Sequence, residues 1–109
     1  MAGAIIAKTG FAGTAVLVQT GKKVIKNMKY INEDSATRFC QLFDAAAVAS
    51  VTVGTTVPTW IMVAGANGGN DDFVGELVFD NGIIAASTTT ATGSGAAASA
   101  TAHFFVVVE

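Results

Sequence analysis

Residues Phe73–Thr90 read FVGELVFDNGIIAASTTT. The first half alternates: Phe73, Gly75, Leu77 and Phe79 fall on one side, Val74, Glu76 and Val78 on the other. That period of two belongs to a half-buried β-strand. The second half, Ile83–Thr90, is uncharged and rich in residues that suit strands. Between them stands Asp80-Asn81-Gly82, and an Asn-Gly pair between apolar runs is a strong local sign of a hairpin. The stretch predicts two strands turned on each other at 80–82, and sets the class of the chain as all-β.

The same pattern continues in both directions. GTAVLVQTG (13–21) predicts a short strand between glycines. KKVIKNMKYIN (22–32) alternates again, with Val24, Lys26, Met28 and Tyr30 on one side and Ile25, Asn27, Lys29 and Ile31 on the other. These two runs are expected to form a hairpin turned at Thr20-Gly21-Lys22. INEDSAT (31–37) reads as a turn, because Asn, Asp and Ser side chains imitate backbone hydrogen bonds. RFCQLFD (38–44) reads as a strand, with Phe39, Gln41 and Phe43 opposed to Arg38, Cys40, Leu42 and Asp44. AAAVAS (45–50) suits no more than a helical turn.

Residues 51–65 are expected to hold two strands, the second entered at Pro58, where a missing N–H costs least. ANGGNDD (66–72) reads as the clearest turn in the chain, and HFFVVV (103–108) as the last strand. Seven or eight strands with frequent turns predict a single antiparallel β-sandwich domain, jelly-roll-like, over 1–109. Residues 1–12 are expected as an extended N-terminal arm.

Composition narrows the classes further. Charged residues make up 13% and hydrophobic residues 51% of 109 positions. That is apolar for a small domain with much surface to cover, and it suggests burial by neighbours. The lone Cys40 excludes an intrachain disulfide. MAGAIIA at the start lacks the basic region of a secretion signal. The uncharged run 83–102 has too many Ser, Thr and Gly residues for a membrane span. All six basic residues lie in the first 38 positions, opposed there only by Glu33 and Asp34, which makes +4; residues 39–109 carry six acids and no Lys or Arg, which makes −6. Such polarity suits a subunit that meets charged neighbours.

The residues offer little for catalysis. His103 stands beside a terminal strand, there is no GxSxG elbow, and no glycine run has phosphate-loop spacing. Asn67, Asn70, Asp71, Asp72 and Asp80 form the best acidic cluster, but calcium takes about six to eight oxygens and the alternating loop pattern is missing. A solvated turn explains these residues better. Lys22, Lys23, Lys26 and Lys29 straddle both faces of a strand and have one aromatic neighbour, Tyr30, whereas single-strand nucleic-acid binders stack bases on several. Trp60 could serve as a sugar platform, but Ile61, Met62 and Val63 beside it suit a core or a subunit interface better. The candidate interface residues are therefore Lys22, Lys23, Lys26, Lys29, Trp60, His103 and Phe105, with no catalytic residue, metal or cofactor expected.

Longer motifs point to a type. A strand ending in QLFDA, a GTTVPT strand entry, a glycine turn and DNGIIAASTTTATG recur together across residues 28–93. In this the chain resembles small all-β virion proteins of tailed bacteriophages, of the kind that decorate or cement the capsid. The resemblance implies a jelly-roll or sandwich subunit, often a homotrimer, seated on the outside of the shell and strengthening capsomer contacts. Its implied partners are the major capsid protein and copies of itself, with neither nucleic acid nor membrane, and its implied location is the virion surface. The long run Ser87–Ala102, built only of Ser, Thr, Ala and Gly, would suit a neck, tail or head-fibre component as well. A lectin-like module resting on Trp60 and loop 66–72 is the alternative outside that class.

Overall fold

The computed structural model describes residues 4–96 and 100–109, so that 1–3 of the expected arm and 97–99 of the small-residue run lie outside the described residues. Eight strands run in the order β1 (Ala4–Phe11), β2 (Val16–Thr20), β3 (Lys23–Asn32), β4 (Arg38–Asp44), β5 (Trp60–Ala64), β6 (Gly68–Phe79), β7 (Gly82–Thr88) and β8 (Ala102–Val108). Two antiparallel four-stranded sheets pack together, one ordered β1-β8-β3-β6 and the other β2-β7-β4-β5. Each strand of the first half pairs with its counterpart in the second: β1 with β8, β2 with β7, β3 with β6, β4 with β5. The β3–β8 and β4–β7 pairings close the two sheets. This is one long hairpin rolled on itself, the arrangement of a jelly roll. Among the described residues no helix is long and apolar enough to cross a membrane.

The rolled topology corrects both expected hairpins. β6 and β7 lie in different sheets, as do β2 and β3. The Asn-Gly turn at 80–82 is therefore an arch across the sandwich. Its backbone donors find a partner elsewhere: the N–H groups of Asp80 and Asn81 donate to the Asp44 carboxylate at 2.9 and 2.8 Å. Gly82, at φ 155°, passes so close to the carbonyl oxygens of Ala45 and Gln19 that a Cβ would stand 2.6 and 2.9 Å from them. Gly21 N–H donates to Asn81 O at 3.1 Å, tying the two arches together.

Other boundaries differ as well. Residues 4–11, expected within an arm, form β1 and pair along β8. Of the two strands expected in 51–65 only β5 forms, two residues beyond Pro58, while 48–50 make a single 3-10 turn. The turn expected over 66–72 is confined to its start, with Asn67 at φ 50°, and β6 begins at Gly68.

The main core lies between the sheets: Ile25, Met28 and Tyr30 of β3, Cys40 and Leu42 of β4, Met62, Phe79, Ile83, Phe104 and Val106 are all almost fully buried. On β3 the buried side chains are Ile25, then Met28, Tyr30 and Asn32, so strict alternation fails. The cause is a bulge between Ile25 and Asn27: Lys26 is the extra residue against β8, where Val107 and Val108 are consecutive, and it faces 74–76 of β6. It also breaks the phase expected along 73–79. Leu77 and Phe79 keep their core side, and the side chains of Phe73 and Val74 lie outside those described.

Three polar side chains, Tyr30, Ser87 and Asn32, are buried at this core, each bonded. Tyr30 Oη lies 2.8 Å from Ser87 Oγ, joining β3 to β7 across the sandwich. Asn32 donates through Nδ2 to the carbonyls of Ala36, Ala64 and Gly65, and accepts from Asp34 N–H through Oδ1. It thereby fixes the 33–37 turn against the end of β5. Buried polar groups bonded this fully stabilise one arrangement over its neighbours.

Candidate interaction surface

The sandwich has two outer faces, and the chain treats them differently. The central strands β4 and β7 of the β2-β7-β4-β5 sheet are roofed by the chain itself, while Leu17 of β2 and Ile61 and Val63 of β5 stay exposed. Phe43, Ile84 and Ala86 form a second small core there, covered by Ala45, Val51 and Val53 of the β4–β5 connection. The segment after β7 extends this cover: buried Gln41 donates through Nε2 to Thr88 Oγ1 and to Gly93 O, both at 3.0 Å. The two roofing loops touch where Gly54 meets Ser94. Small side chains are what allow this close approach of backbones. All seven residues of β7 are buried as a result. An apolar run without a polar side, GIIAAST, is the signal that could have revealed a strand covered on both faces.

The opposite face, that of the β1-β8-β3-β6 sheet, has no such roof among the described residues. Alternation along β8 sends Ala102, Phe104, Val106 and Val108 inward and His103, Phe105 and Val107 outward. Register then lays out three rows. Ile5, Val107 and Asn27 form one; Ala7, Phe105, Lys29 and Asp71 the next; Thr9, His103, Ile31 and Gly69 the third. Ile5 is 76% exposed. A shallow cavity of about 280 Å³ lies among Ile5, Asn27, Lys29, Asp71, Phe105 and Val107. Within it the Asn27 carboxamide oxygen is buried and has no hydrogen-bond partner among the described residues.

Charges of both signs border these rows. Lys29 Nζ stands 3.7 Å from Asp71 Oδ2. Lys26, carried outward by the bulge, reaches Glu109 at 2.9 Å and Glu76 at 3.6 Å. The bond to Glu109 holds the Lys26 ammonium above its ordinary value, against a smaller opposing effect of desolvation. The polarity read along the chain is thus paired in space, because antiparallel pairing places basic β3 beside acidic β6.

Of the seven residues expected at an interface, Lys26, Lys29, His103 and Phe105 come together on this sheet. Lys22 is exposed in the arch before β3, and Lys23 stands at the sandwich mouth opposite Phe79. Trp60 lies apart, packed against the main core, with Nε1–H donating to Asp72 Oδ2 at 2.9 Å. It staples the edge strands β5 and β6 together, as does Asn70 by donating to Val63 O at 2.9 Å. Both ring nitrogens of His103 are engaged. Nδ1 accepts from Gly10 N–H at 3.2 Å, which leaves the proton on Nε2, facing Glu33. His103 therefore pins the bulge of β1 to the end of β3.

The acidic group Asn67, Asn70, Asp71, Asp72 and Asp80, weighed and set aside as a calcium site, does not converge. Asp71 faces Lys29 on the open sheet, Asp72 faces Trp60, and Asp80 sits at the far end of β6. Among the described residues no group of His, Cys, Asp or Glu side chains is placed to hold a metal ion. A second cleft, about 380 Å³, opens where the β4–β5 connection meets the 80–82 arch, between Phe43, Asp44, Val51, Thr56 and Asn81. Asp44 in it already accepts two backbone N–H bonds from the arch.

No family model matches the chain, and no curated protein matches it. Among solved structures, the crystal structure of PirA aligns over 96% of this chain and 92% of that chain, with 13% identity and a TM-score of 0.49.

Proposed function

We propose that this chain is a non-enzymatic structural subunit of the capsid decoration or cement type, binding the outer surface of a bacteriophage head and strengthening capsomer contacts. The observation that supports the reading is the unequal treatment of the two outer faces. One has its central strands roofed by the protein's own loops, while the other presents exposed Ile5 with half-buried Phe105, Val107 and Ile31 on a sheet that ends in the edge strand β1. A subunit that spends its spare length on one face and leaves the other bare suits permanent contact with neighbours, since an uncovered edge of this kind invites aggregation. The motifs across 28–93 agree with this class, and the resemblance favours three copies.

Co-sedimentation of the purified chain with heads from the phage that encodes it tests the reading. Saturable binding that raises the melting temperature of the heads is the expected result. Failure to bind heads, together with labelling of the chain at the neck or tail of intact virions, would replace it with the neck, tail or fibre alternative.

A further inference from the structure

We propose that His103 is a pH-operated clasp on the edge strand β1. Neutral, it holds the bulge of β1 against β8 and the end of β3. Protonated, it releases the bulge and keeps the end of β3. The inference concerns the free chain and stands apart from the decoration reading.

The need for a clasp comes from the register. Thr9 pairs with His103 and Phe11 with Ala102, so Gly10 is the extra residue of a bulge in β1. Its φ of 67° lies in the left-handed region that glycine enters freely, as in the glycine form of bulge. A bulged residue stands outside the ladder, and its N–H needs an acceptor from elsewhere. His103 supplies one through Nδ1 at 3.2 Å. The other ring nitrogen, Nε2, faces Glu33 Oε1. Glu33 is fixed in turn by its own N–H, which donates to Thr101 O at 2.9 Å, one step beyond the pair Asn32 and Ala102 that ends the β3–β8 ladder.

The two bonds answer protonation in opposite ways. Neutral imidazole has one acceptor nitrogen, whereas imidazolium has none and donates from both. A proton on Nδ1 removes the acceptor of Gly10 and sets two N–H groups against each other. The same proton turns the Nε2 bond to Glu33 into an ion pair, which charge strengthens. The other charged groups on this face are Lys29, two residues from Ile31 along β3, and Asp71 of β6, and these are paired with each other. Asp34, beside Glu33, is engaged by Arg38 at 3.1 Å. β1 presents Ala7 and Thr9 in the outward rows, with Lys8 alternating to the other side of the sheet. Glu33 is therefore the charge that His103 meets directly. Because one bond is lost as the other strengthens, the change is local: acid loosens the edge strand at Gly10 and leaves the seam of β3 and β8 tied.

NMR of the full chain from about pH 8 to about pH 5, the range in which histidine changes charge, tests the proposal. His103 is the only histidine, so its ring signals are unique. Protection of the Gly10 amide from hydrogen exchange, corrected for the intrinsic effect of pH, is expected to fall roughly three- to tenfold, the worth of one hydrogen bond. The midpoint should coincide with the titration of the ring, while the Glu33 amide keeps its protection. Glu33→Gln, at a side chain 63% exposed, leaves the fold intact and removes the charge that favours imidazolium. Both midpoints should then move together to lower pH. His103→Gln should make Gly10 protection independent of pH. A Gly10 amide indifferent to pH in the parent overturns the proposal, as does a pH dependence that survives His103→Gln. So does a Gly10 midpoint that stays in place while that of the ring moves in Glu33→Gln. Ring nitrogen shifts that put the proton on Nδ1 at pH 8 would overturn it as well, since that tautomer accepts nothing from Gly10.

Discussion

Tyr30 and Ser87 show how a single bond ties the two sheets. Burial pushes the Tyr30 phenol up to about 12, with the Ser87 bond pulling weakly the other way. An unfolded chain releases this proton from about pH 10, so the folded state holds it where the unfolded state does not. The contribution is complete below the unfolded value and is lost as pH rises from 10 through 12. Tyr30→Phe should cost about 1–2 kcal/mol at neutral pH, because Ser87 is left buried without a partner. Its deficit against the parent should shrink as the pH is taken from 10 to 12. Denaturant titrations across that range measure both effects, and the phenolate absorbance of the only tyrosine follows the ionisation directly. A deficit that stays constant would mean that the phenol is accessible in the folded protein.

At the scale of elements, the roof over β4 and β7 is the least ordinary part of the fold. Gly54 carries φ 91° and a Cβ there would lie 2.7 Å from Ser94 Cβ. Gly54→Ala should therefore lower stability by more than about 1 kcal/mol. Adding Ser94→Gly should recover part of the loss, since it removes the closest contact but leaves the backbone strain and the approach to Ser94 N and Cα at 3.0 and 3.1 Å. Thermal melts of the three variants measure this, and no recovery would place the whole cost in the backbone. The 80–82 arch depends in turn on Asp44. Desolvation pushes the carboxyl up, but the backbone N–H bonds from Asp80, Asn81 and Gly82 outweigh it and hold the group below its ordinary 3.8. Stability from this clamp is present above the unfolded value and is lost as pH falls through the lower folded one. Asp44→Asn should be less stable than the parent at neutral pH, with a gap that narrows under acid. A gap independent of pH would show that the carboxylate charge plays no part.

Across the whole molecule, the core is a single layer between two sheets, so truncation there is costly. Phe79 is fully buried, beside Leu77 and across the sandwich from Ile83 of the other sheet. Phe79→Ala should cost about 3–5 kcal/mol, a large share of the stability of a domain this size. A melting temperature lowered by only a degree or two would contradict its place in the core. Assembly is expected to work in the opposite direction. Covering the open sheet would bury Ile5, Phe105 and the β1 edge, and any partner that binds only the folded chain stabilises it by mass action. The charged pairs on that sheet are exposed and contribute little to folding by themselves.

Most strands were legible in the sequence because the signals are local, although β1 was expected as part of an arm, only one of two strands expected in 51–65 formed, and β6 begins within the expected turn. Alternation marked β3, β4 and β6, an apolar run marked β8, turn residues marked the connections, and Leu77 and Phe79 were in phase with the core. Which strand pairs with which was not legible. Asn-Gly satisfies the backbone of a hairpin and of an arch equally well, and only Asp44, 36 and 37 residues away in sequence, decides that the donors of 80–82 need no hairpin partner. The bulge at Lys26 was equally hidden, since it exists only in the pairing of β3 with β8 and β6 and moves Met28 and Tyr30 out of step with Ile25. The same pairing set Lys26 beside Glu76 and Glu109, and Lys29 beside Asp71, turning a polarity along the chain into a rim of mixed charge. Local chemistry determined where this chain is extended and where it turns. Long-range pairing, which no window of neighbours contains, decided which face the protein covers for itself and which it leaves open.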